Sequence, residues 1–571
     1  MKQEQIFVAD FETSTSTWLE FDNGWARVWL WDVCDVVTYN HKTGTTIDEF
    51  MRYVASKKLG ESKKVFFHNL RYDGMYILSW LQLYGFTWKQ DGEKLGKKEF
   101  TTLISGEGVF YSIKVCFGVH GHTRNTVTFV DSLKKFPQSV AGLAKTYKLP
   151  MLKGEIDYDM YRPYGWKPTE EEIAYIHNDT EIVARALRTK LDHGLDKMTR
   201  AADALNEYTE IMGGKDNFRA LFPVVSEEVD TNIRKSYKGG YVYLCEDYAG
   251  KYVHDVTSYD VNSLFPSVMR YDLLPFGEPV EFFGEYKHDA RYPLYIQFFV
   301  CNFKLKEGKL PTIQLKNSGR FCETEYLKDN GDEPVFLALT NVDLEVARDR
   351  YDIEVIEYIG GYKFMGAHGL FDKYIDKWIQ IKIENNDNAG LRQNAKDMLN
   401  CLYGKFARRI KQKSKMPVLE DDYTPAFVNY EDEDGEPIYT ALACFVTAYA
   451  RKKTMTTAQR FHDEGRYIYS DTDSVHVLGA QPEWLDVDSK RLGAWKNEGV
   501  AEDARFLRAK TYIKRKHGEI VVTCAGMPDN IKRVATFENF RFGYVYGDKL
   551  VQKAVKGGCV LVTTNFAINV H

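Results

Sequence analysis

Two aspartates stand one residue apart in the segment YSDTDSVHV, residues 469–477, inside an otherwise apolar run. Because side chains alternate along a strand, we predict that Asp471 and Asp473 share one face while Thr472 points to the other. A third carboxylate, Asp260, ends a predicted strand in YDVNSLFPSVM, although an isolated aspartate there is more often a helix cap. The three carboxylates could hold Mg²⁺, which is typically bound by one or two carboxylates together with substrate phosphates.

A second group of acidic side chains occupies the N-terminal third. Asp10 and Glu12 lie on one side of a predicted strand in ADFET, and Asp73 follows a short strand in FFHNLRYDGMYI. Tyr175 and Asp179 share one face of a predicted helix in YIHNDTEIV. Four carboxylates at one site raise each other's pKa unless cations lie between them, and two divalent ions ~3.5–4 Å apart support phosphodiester hydrolysis. Taken alone, the strand pair is more often a surface feature, so the prediction rests on the order of all three segments.

One helical stripe carries cations and an aromatic ring. Lys396, Asn400 and Tyr403 are spaced i, i+4 and i+7 in KDMLNCLYGKF, and Arg392 precedes them by one turn. This stripe suits a triphosphate and a stacked base. As a lone pattern it is more often a solvated helix face.

Composition limits the classes of protein that are possible. The 571 residues are 44% hydrophobic and 27% charged, which predicts several globular domains. Nine scattered cysteines without a C-x-x-C argue against a disulfide framework and a cysteine zinc site. No membrane span or signal peptide is predicted, so we expect an intracellular protein. A net charge of −5 for the whole chain does not indicate a nucleic-acid-binding protein. Any such binding would depend on local basic patches such as KFARRIKQKSK, residues 405–415. A solvated loop explains this patch equally well.

The chemical groups must be positioned by regular elements. QIFVADFET predicts a strand, and residues 169–205 predict one long helix or two in tandem, opening with a threonine cap. Residues 387–409 predict a helix that ends at Gly404, and RYIYSDTDSVHVLG predicts a strand. The C-terminal segment predicts β-hairpins with YGD and GG as turns. We place a domain boundary near residues 195–200.

The acidic motifs of the N-terminal third carry a resemblance. The succession D-x-E, N-x-x-x-D and Y-x-x-x-D, with Asn69 in the second motif, resembles the DnaQ-like 3′–5′ proofreading exonuclease domain. It implies that Asp10, Glu12, Asp73 and Asp179 are metal ligands, that Tyr175 orients water, and that Lys153 assists at the phosphate. It also implies contacts to a frayed 3′ strand from Thr13, His68, Asn69, Tyr72, Ser132, Leu133 and Tyr158. For His68, an ordinary core position is the alternative.

The remaining motifs resemble a second enzyme. D-x-x-S-L-x-P, K-x-x-x-N-x-x-Y-G and Y-x-D-T-D-S follow one another as motifs A, B and C of family B DNA polymerases do. YKGGYV, TAYAR and LRAKTYI are similar to motifs of the phi-29-like, protein-primed branch. The resemblance implies a DNA-directed DNA polymerase with 3′–5′ proofreading and strand displacement that replicates a linear phage genome.

The resemblance also implies a fold class and a domain order. We expect an α/β and α+β multidomain chain, with an RNase H-like (DnaQ-like) exonuclease domain followed by a right-hand polymerase domain with two insertions. The expected bounds are 1–198 for the exonuclease domain, 199–271 and 438–524 for the palm, 272–370 and 408–437 for terminal-protein-region insertions 1 and 2, 371–407 for the fingers, and 525–571 for the thumb.

Roles in the polymerase follow motif by motif from the same resemblance. Asp260 and Asp473 are implied as the main ligands of two Mg²⁺ or Mn²⁺ ions, with the carbonyl of Val261 and the carboxylate of Asp471 assisting. Implied nucleotide-binding residues are Phe265, Lys382, Arg392, Lys396, Asn400 and Tyr403. Implied DNA contacts are Tyr237, Gly239, Gly240, Thr447, Arg451, Lys510 and Tyr512.

One departure from the family pattern concerns the incoming sugar. Motif A of the family usually reads S-L-Y-P, whereas this chain has SLFP, so Phe265 stands where a tyrosine is usual. We predict that the ring still excludes a ribose 2′-hydroxyl and that nucleotide affinity is altered, because the phenolic hydrogen bond is lost.

The implied partners are a primer-template, single-stranded DNA, dNTPs and a terminal protein. The terminal protein forms a heterodimer with this chain, which is otherwise expected to be monomeric. The expected location is the cytoplasm of the host cell. Two alternatives stay open from the sequence. One is a non-catalytic DNA-binding replication factor, and the other is a nuclease whose polymerase half only holds DNA.

Overall fold

The computed structural model describes residues 4–56, 62–151, 154–315, 326–385, 387–409, 413–431 and 437–569. The strands in chain order are β1 (Gln5–Thr13), β2 (Val28–Asp35), β3 (His41–Gly44), β4 (Ser62–Phe67), β5 (Thr87–Trp88), β6 (Glu99–Ile104), β7 (Phe110–His120), β8 (Thr123–Asp131), β9 (Val242–Leu244), β10 (Tyr252–Val261), β11 (Leu274–Phe283), β12 (Leu294–Leu305), β13 (Val335–Thr340), β14 (Tyr351–Ala367), β15 (Lys413–Leu419), β16 (Pro425–Glu431), β17 (Tyr467–Asp471), β18 (Ser474–Leu478), β19 (Trp495–Arg508), β20 (Thr511–Lys516), β21 (Glu519–Cys524), β22 (Val545–Val555) and β23 (Gly558–Ala567). The helices are α1 (Ile47–Ala55), α2 (Leu70–Leu83), α3 (Val140–Thr146), α4 (Glu170–Leu191), α5 (Arg200–Ile211), α6 (Lys215–Leu221), α7 (Glu227–Arg234), α8 (Leu264–Tyr271), α9 (Asn341–Arg350), α10 (Asp372–Glu384), α11 (Ala389–Phe406), α12 (Thr440–Asp463) and α13 (Asp529–Val534).

The N-terminal sheet has the strand order β3-β2-β1-β4-β8-β7-β6-β5, with β1, β4 and β8 parallel. Alternation along β1 sends Phe7 and Phe11 into one core and Val8 into another, which α4 covers. The predicted cap of α4 is confirmed, because Thr169 and Glu172 form a capping box. The sheet therefore presents the even-numbered residues of β1 to α4.

A second sheet has the order β21-β20-β19-β10-β18-β17-β9. Its central strand β10 pairs antiparallel with β18 on one side and with β19 on the other. Helices α8 and α12 contribute to the large core that packs beside this sheet, and α12 is buried along most of its length. The end of β10 is therefore held between two paired strands and a buried core.

Three smaller sheets complete the architecture of the described residues. Strands β11-β14-β12-β13 form one, β15-β16 form the second, and β22-β23 form the third. The C-terminal hairpin packs on the N-terminal core, where Cys559 and Val560 are buried and the hydroxyl of Tyr76 donates to the carbonyl of Cys559. The hairpin β15-β16 also contacts this part of the chain, since Ser105 bridges to Ser414.

The structure corrects several sequence predictions. Residues 466–479 do not form one strand: β17 and β18 are antiparallel and meet at a turn formed by Thr472 and Asp473. The predicted YGD turn is wrong, because it lies inside β22 at an irregularity in the pairing with β23. The GG turn is confirmed between β22 and β23, and helix α11 continues beyond Gly404 to Phe406. Of the two readings of residues 169–205, the tandem pair is confirmed, as α4 and α5.

Candidate active sites

The turn between β17 and β18 lies beside the end of β10. Asp260 is directly opposite Ser474, and the amide of Val261 donates to the carbonyl of Asp473 at 2.7 Å. Asp471 and Asp473 therefore do not share the face of one strand, because a turn separates β17 from β18, but Asp260 does lie beside that turn. The two segments are joined by antiparallel pairing rather than by a shared strand face.

The turn itself is held from three sides. Thr472 has a φ of +60°, a conformation that β-branched residues rarely adopt. Its amide donates to the carbonyl of Tyr241 at 2.7 Å, and its own carbonyl accepts from the hydroxyl of Thr454 at 2.7 Å. With the Val261 amide on Asp473, these bonds fix the backbone that carries the two carboxylates. Strained residues held in this way are common at functional sites.

The carboxylates of this site repel one another. Burial, followed by the charges of Asp473 and Glu498, raises the pKa of Asp260 to about 7, although Lys496 opposes the shift. Burial and the charge of Asp471 also raise the pKa of Asp473. These raised pKa values mean that ionising the carboxyl groups is unfavourable when no cation is bound. A divalent cation relieves the repulsion between the carboxylates, so such a cluster is suited to bind one.

Asp471 differs from the other two carboxylates in its partners. Its carboxylate accepts from the ammonium of Lys510 at 2.7 Å and from the hydroxyl of Tyr469 at 3.3 Å. The ring of Tyr469 packs against that of Tyr512, which is half-buried. Lys510 and Tyr512, which were predicted to contact DNA, thus lie at the carboxylate cluster, and Lys510 partly neutralises Asp471.

Residues 237–240 pack directly against the turn. A Cβ atom on Gly240 would lie 2.6 Å from the side chain of Thr472, so only glycine fits there. The backbone of the segment is held by Arg451, which donates to the carbonyls of Lys238 and Gly239 and forms a bidentate ion pair with Asp343.

Two predicted DNA contacts are internal in this structure. Arg451 is 3% exposed, and the hydroxyl of Thr447, which is 1% exposed, donates to the carbonyl of Ala443. The structure therefore places Arg451 as a support for the 237–240 segment. Tyr237 lies half-buried in the same segment, near Tyr403.

A cluster of cations faces the carboxylates. Arg392, Lys396 and Asn400 follow one another on the exposed stripe of α11, as the spacing predicted. Burial and the nearby charges of Lys396, Arg392 and Lys496 lower the pKa of Lys382 on α10. Because Lys496 acts on the pKa of both Lys382 and Asp260, it connects the cations to the carboxylates. Lys496 is directly opposite Asp260 on β19.

Phe265 and Tyr403 form an aromatic pair beside these two groups. Their rings stack with centroids 4.0 Å apart and planes 23° apart. Phe265 belongs to the first turn of α8, immediately beyond Asp260, and Tyr403 lies on α11 beyond Asn400. The charge of Asp473 acts on Tyr403, so the aromatic pair lies near the carboxylates and on the helix that carries the cationic stripe.

The acidic residues of the N-terminal sheet also converge. Burial raises the pKa of Asp73 well above its usual range, and the charges of Asp10 and Glu12 raise it further. Asp73 lies in the first turn of α2, and the backbone of Phe11 on β1 is close enough to oppose part of this rise in pKa. Burial also raises the pKa of Tyr175, with Asp179, Glu12 and Asp10 contributing. The five predicted residues are therefore electrostatic neighbours at one site.

The hydroxyl of Tyr175 has a defined partner. It lies 2.8 Å from the hydroxyl of Tyr158, a side chain that is half exposed. Tyr158 could therefore connect the site to a bound strand. The predicted phosphate contact, Lys153, lies outside the described residues.

The residues predicted to hold single-stranded DNA form two small hydrogen-bonded groups. The ring nitrogens of His68 lie 2.8 Å from the hydroxyl of Ser132 and 2.7 Å from the carbonyl of Gln138. His68 is half-buried, so both readings of this residue retain support. The hydroxyls of Thr13 and Tyr72 lie 2.8 Å apart.

Asp131 holds the backbone of two other residues that were predicted to contact single-stranded DNA, Asn69 and Leu133. Asp131 was not identified from the sequence. Its carboxylate accepts from the amides of Asn69 and Leu133 at 3.2 and 3.0 Å. Asn69 has a φ of +84° and occupies the N-cap position of α2, the helix whose first turn carries Asp73. Asp131 ends β8, beside the end of β4, so its place is set by strand pairing.

Comparisons with known proteins address the family. A model for type B DNA polymerases of organelles and viruses matches residues 57–486. The chain is 41% identical to the DNA polymerase of Bacillus phage Nf and 40% identical to that of Bacillus phage phi29, over 99% of both chains in each case. The chain belongs to this type B DNA polymerase family. The solved structure of phi29 DNA polymerase with primer-template DNA and incoming nucleotides covers 99% of this polymerase with a TM-score of 0.92.

Family membership confirms the predicted DNA polymerase activity and the likeness to phage enzymes. Type B polymerases depend in general on divalent metal ions, which agrees with the raised pKa values of Asp260 and Asp473. No helix among the described residues is long and apolar enough to cross a membrane.

Proposed function

We propose that this type B polymerase is a protein-primed, DNA-directed DNA polymerase that proofreads with a 3′–5′ exonuclease and displaces the non-template strand. The observation that carries the polymerase site is the pairing of the Asp471–Asp473 turn with Asp260, opposite a cluster of four cations. A catalytic pair of metal ions and a nucleoside triphosphate need this arrangement of opposite charges.

The two carboxylate clusters support the proposed division into domains. One belongs to the N-terminal sheet and α4, which fits an RNase H-like exonuclease domain within residues 1–198. The other belongs to the seven-stranded sheet, which fits a palm formed by residues 199–271 and 438–524. Helices α10 and α11 fit the fingers, β11–β14 and β15-β16 fit the two insertions, and β22-β23 fits the thumb.

In the proposed polymerase site, the chain's own residues bind and orient the reactants. Asp260 and Asp473, with the carbonyl of Val261, would hold Mg²⁺ or Mn²⁺, and Asp471 would assist once Lys510 is displaced or shared. Bound divalent ions supply charge stabilisation at the attacking and leaving oxygens. Lys382, Arg392 and Lys396 would neutralise the triphosphate while the primer 3′-hydroxyl attacks the α-phosphorus in line and pyrophosphate leaves.

In the proposed exonuclease site, Asp10, Glu12, Asp73 and Asp179 would hold the metal ions. Tyr175 would orient the attacking water, since its hydroxyl is the polar group that α4 presents beside these carboxylates. Thr13, Tyr72, His68 and Asn69 would grip the frayed strand by hydrogen bonds and stacking.

DNA is the proposed partner of a basic cleft. A cleft of about 620 Å³ is lined by Arg234, Lys235, Lys238 and Arg409, together with the aromatic ring of Phe336. Arg409 belongs to the basic run 405–415, of which residues 410–412 lie outside the described part. Cations with an aromatic ring suit a single-stranded template, and we expect the binding to weaken steeply with salt. The related phi29 polymerase is known in complexes with primer-template DNA and with single-stranded DNA.

Protein priming would use the same polymerase site with a different hydroxyl. A Ser, Thr or Tyr of the terminal protein would attack the first nucleotide in place of the primer 3′-hydroxyl. The insertions that carry β11–β14 and β15-β16 are the proposed contacts of that protein.

The test of protein priming is transfer of a labelled dNMP to a candidate terminal protein on a linear template with Mg²⁺. We expect a covalent protein–nucleotide adduct that Asp473→Asn abolishes. Extension of an ordinary DNA primer serves as the reference reaction. If the chain extends DNA primers but does not label the terminal protein encoded beside its own gene, the assignment of protein priming is wrong. The assignment of DNA polymerase activity would then still stand.

Phe265 is expected to select the sugar of the incoming nucleotide. Its ring is fixed by the stack on Tyr403, so it presents a rigid wall to the 2′ position. We expect Phe265→Tyr to keep discrimination between dNTPs and rNTPs and to change the KM for dNTPs. Phe265→Val should lower discrimination by roughly 10-fold or more, because a short side chain leaves room for a hydroxyl. Single-nucleotide insertion kinetics measure both, and discrimination below about 10-fold in the parent chain would refute the assignment.

A further inference from the structure

A separate group of possible metal ligands lies next to the N-terminal carboxylates. It consists of Asp32 on β2, His41 on β3 and His177 on α4, each offering one ligand atom within 4.8 Å of the others. Asp32 is directly opposite Asp10 in the pairing of β1 with β2, and it is fully buried. None of the three residues has a role in the reactions proposed above.

The ligand atoms converge from three elements. Asp32 Oδ2 lies 2.8 Å from His41 Nδ1, and Asp32 Oδ1 lies 3.5 Å from His177 Nε2. The two imidazole rings stack with centroids 4.1 Å apart and planes 22° apart. Two imidazoles with one carboxylate are ligands that Zn²⁺ and similar first-row ions prefer, whereas Mg²⁺ prefers oxygen ligands alone.

Two of these buried atoms lack an ordinary partner. Within the described part of the chain, Asp32 Oδ1 and His177 Nε2 are shielded from solvent and make no hydrogen bond. Buried polar atoms almost always have a hydrogen-bond partner. A metal ion bound between these two atoms would explain why they have none.

The surroundings resemble the outer shell of a metal site. His41 Nε2 lies 3.6 Å from the carboxylate of Glu181, which is itself paired with Arg185. The hydroxyl of Thr180 donates to Asp32 Oδ2 at 2.5 Å. Metal-binding histidines usually donate their second ring N–H to a carboxylate, which fixes the ring and the tautomer. Glu181 is placed to orient His41 so that Nδ1 points at Asp32 Oδ2, and a metal ion would take the place of the proton shared by these two atoms.

We propose that Asp32, His41 and His177 bind one divalent ion of the Zn²⁺ type that fastens β2 and β3 to α4. The lack of a C-x-x-C motif argued only against a zinc site with cysteine ligands. The site proposed here uses histidine nitrogen and aspartate oxygen atoms as ligands. The ion stabilises the N-terminal domain by linking the sheet to the helix that packs on it. The site is independent of the assigned reactions and needs no DNA.

The test uses the full chain stripped of metal at pH 8, in excess Mg²⁺, with Co²⁺ as the probe. We expect one equivalent of Co²⁺ to give the strong visible absorption of a four-coordinate nitrogen and oxygen site, which Zn²⁺ then abolishes. At a metal concentration near one hundred times Kd, the unfolding temperature of the N-terminal domain should rise by about 5 °C.

The variants His41→Gln and His177→Gln should each lose the absorption and the thermal shift. His254→Gln is the matched control, because His254 also pairs with an aspartate, Asp503, but at an exposed position. His177 is partly exposed, so His177→Gln should fold, and its metal-free unfolding temperature checks this. Equal Co²⁺ binding and equal thermal shifts in the parent and both variants would overturn the proposal and leave a hydrogen-bonded His–Asp cluster.

Discussion

Replacing Asp473 or Asp260 by asparagine is expected to lower primer extension by on the order of 10³-fold or more. Each change removes a negative charge from the cluster that would hold the catalytic metal ions. Those ions stabilise the charge of the transition state by several kcal/mol, and a loss of about 1.36 kcal/mol slows the reaction tenfold. Single-turnover incorporation of one dNTP with Mg²⁺ measures the effect. Asp471→Asn should cost less, because Lys510 already neutralises part of that carboxylate.

Asp255→Asn is the matched control for these variants. Asp255 lies on the same strand as Asp260, is exposed, and has a φ of +52°, which asparagine tolerates as well as aspartate does. It should extend primers like the parent chain. Degradation of single-stranded DNA should continue in Asp473→Asn. If Asp473→Asn extended primers at the parent rate, the polymerase site would be wrongly placed.

The same variants report on folding through their pH dependence. Without divalent ions, the folded pKa of Asp260 is about 7 and its ordinary value is 3.8, so the folded chain binds more protons between these values. The free energy of unfolding should therefore fall as the pH rises from about 4 to about 7. Asp260→Asn should remove the contribution of Asp260 to this slope and stabilise the metal-free chain at pH 8 by on the order of 2 kcal/mol, after allowing for solvent screening. Denaturant unfolding at several pH values measures it.

The second large effect is expected in the N-terminal sheet. The double variant Asp10→Ala/Glu12→Ala should degrade single-stranded DNA at least about 10³-fold more slowly, because two of the four proposed metal ligands are removed. Primer extension should be retained, since the carboxylates at the end of β10 belong to another sheet. The measurement is release of labelled nucleotides from the 3′ end of a single strand with Mg²⁺.

The chain provides a control with the same spacing. Asp91 and Glu93 form a second D-x-E pair, and both side chains are exposed. Asp91→Ala/Glu93→Ala should leave degradation and extension unchanged. Degradation that persisted at the parent rate in Asp10→Ala/Glu12→Ala would show that the exonuclease centre lies elsewhere. Loss of extension in that variant as well would indicate misfolding, which its unfolding temperature would reveal.

Local predictions succeeded where residues close in sequence determine the geometry. The capping box of α4 follows from the residue types at its first positions, and the stripe on α11 and the spacing of Tyr175 and Asp179 follow from helical periodicity. The order of the motifs also sufficed to indicate the family. By contrast, the single strand predicted for residues 466–479 failed, because alternation of apolar residues does not show where a tight turn interrupts a strand.

The sequence by itself determined which residue types are present to hold metal ions and phosphates, and the local elements that carry them. Only the tertiary structure decided which of them meet, because pairing between strands distant in the chain leaves no local pattern. It placed Lys496 opposite Asp260, Lys510 on Asp471, and Arg451 beneath the 237–240 segment instead of on its surface. It also brought Asp32, His41 and His177 together from three elements whose sequences gave no sign of a common site.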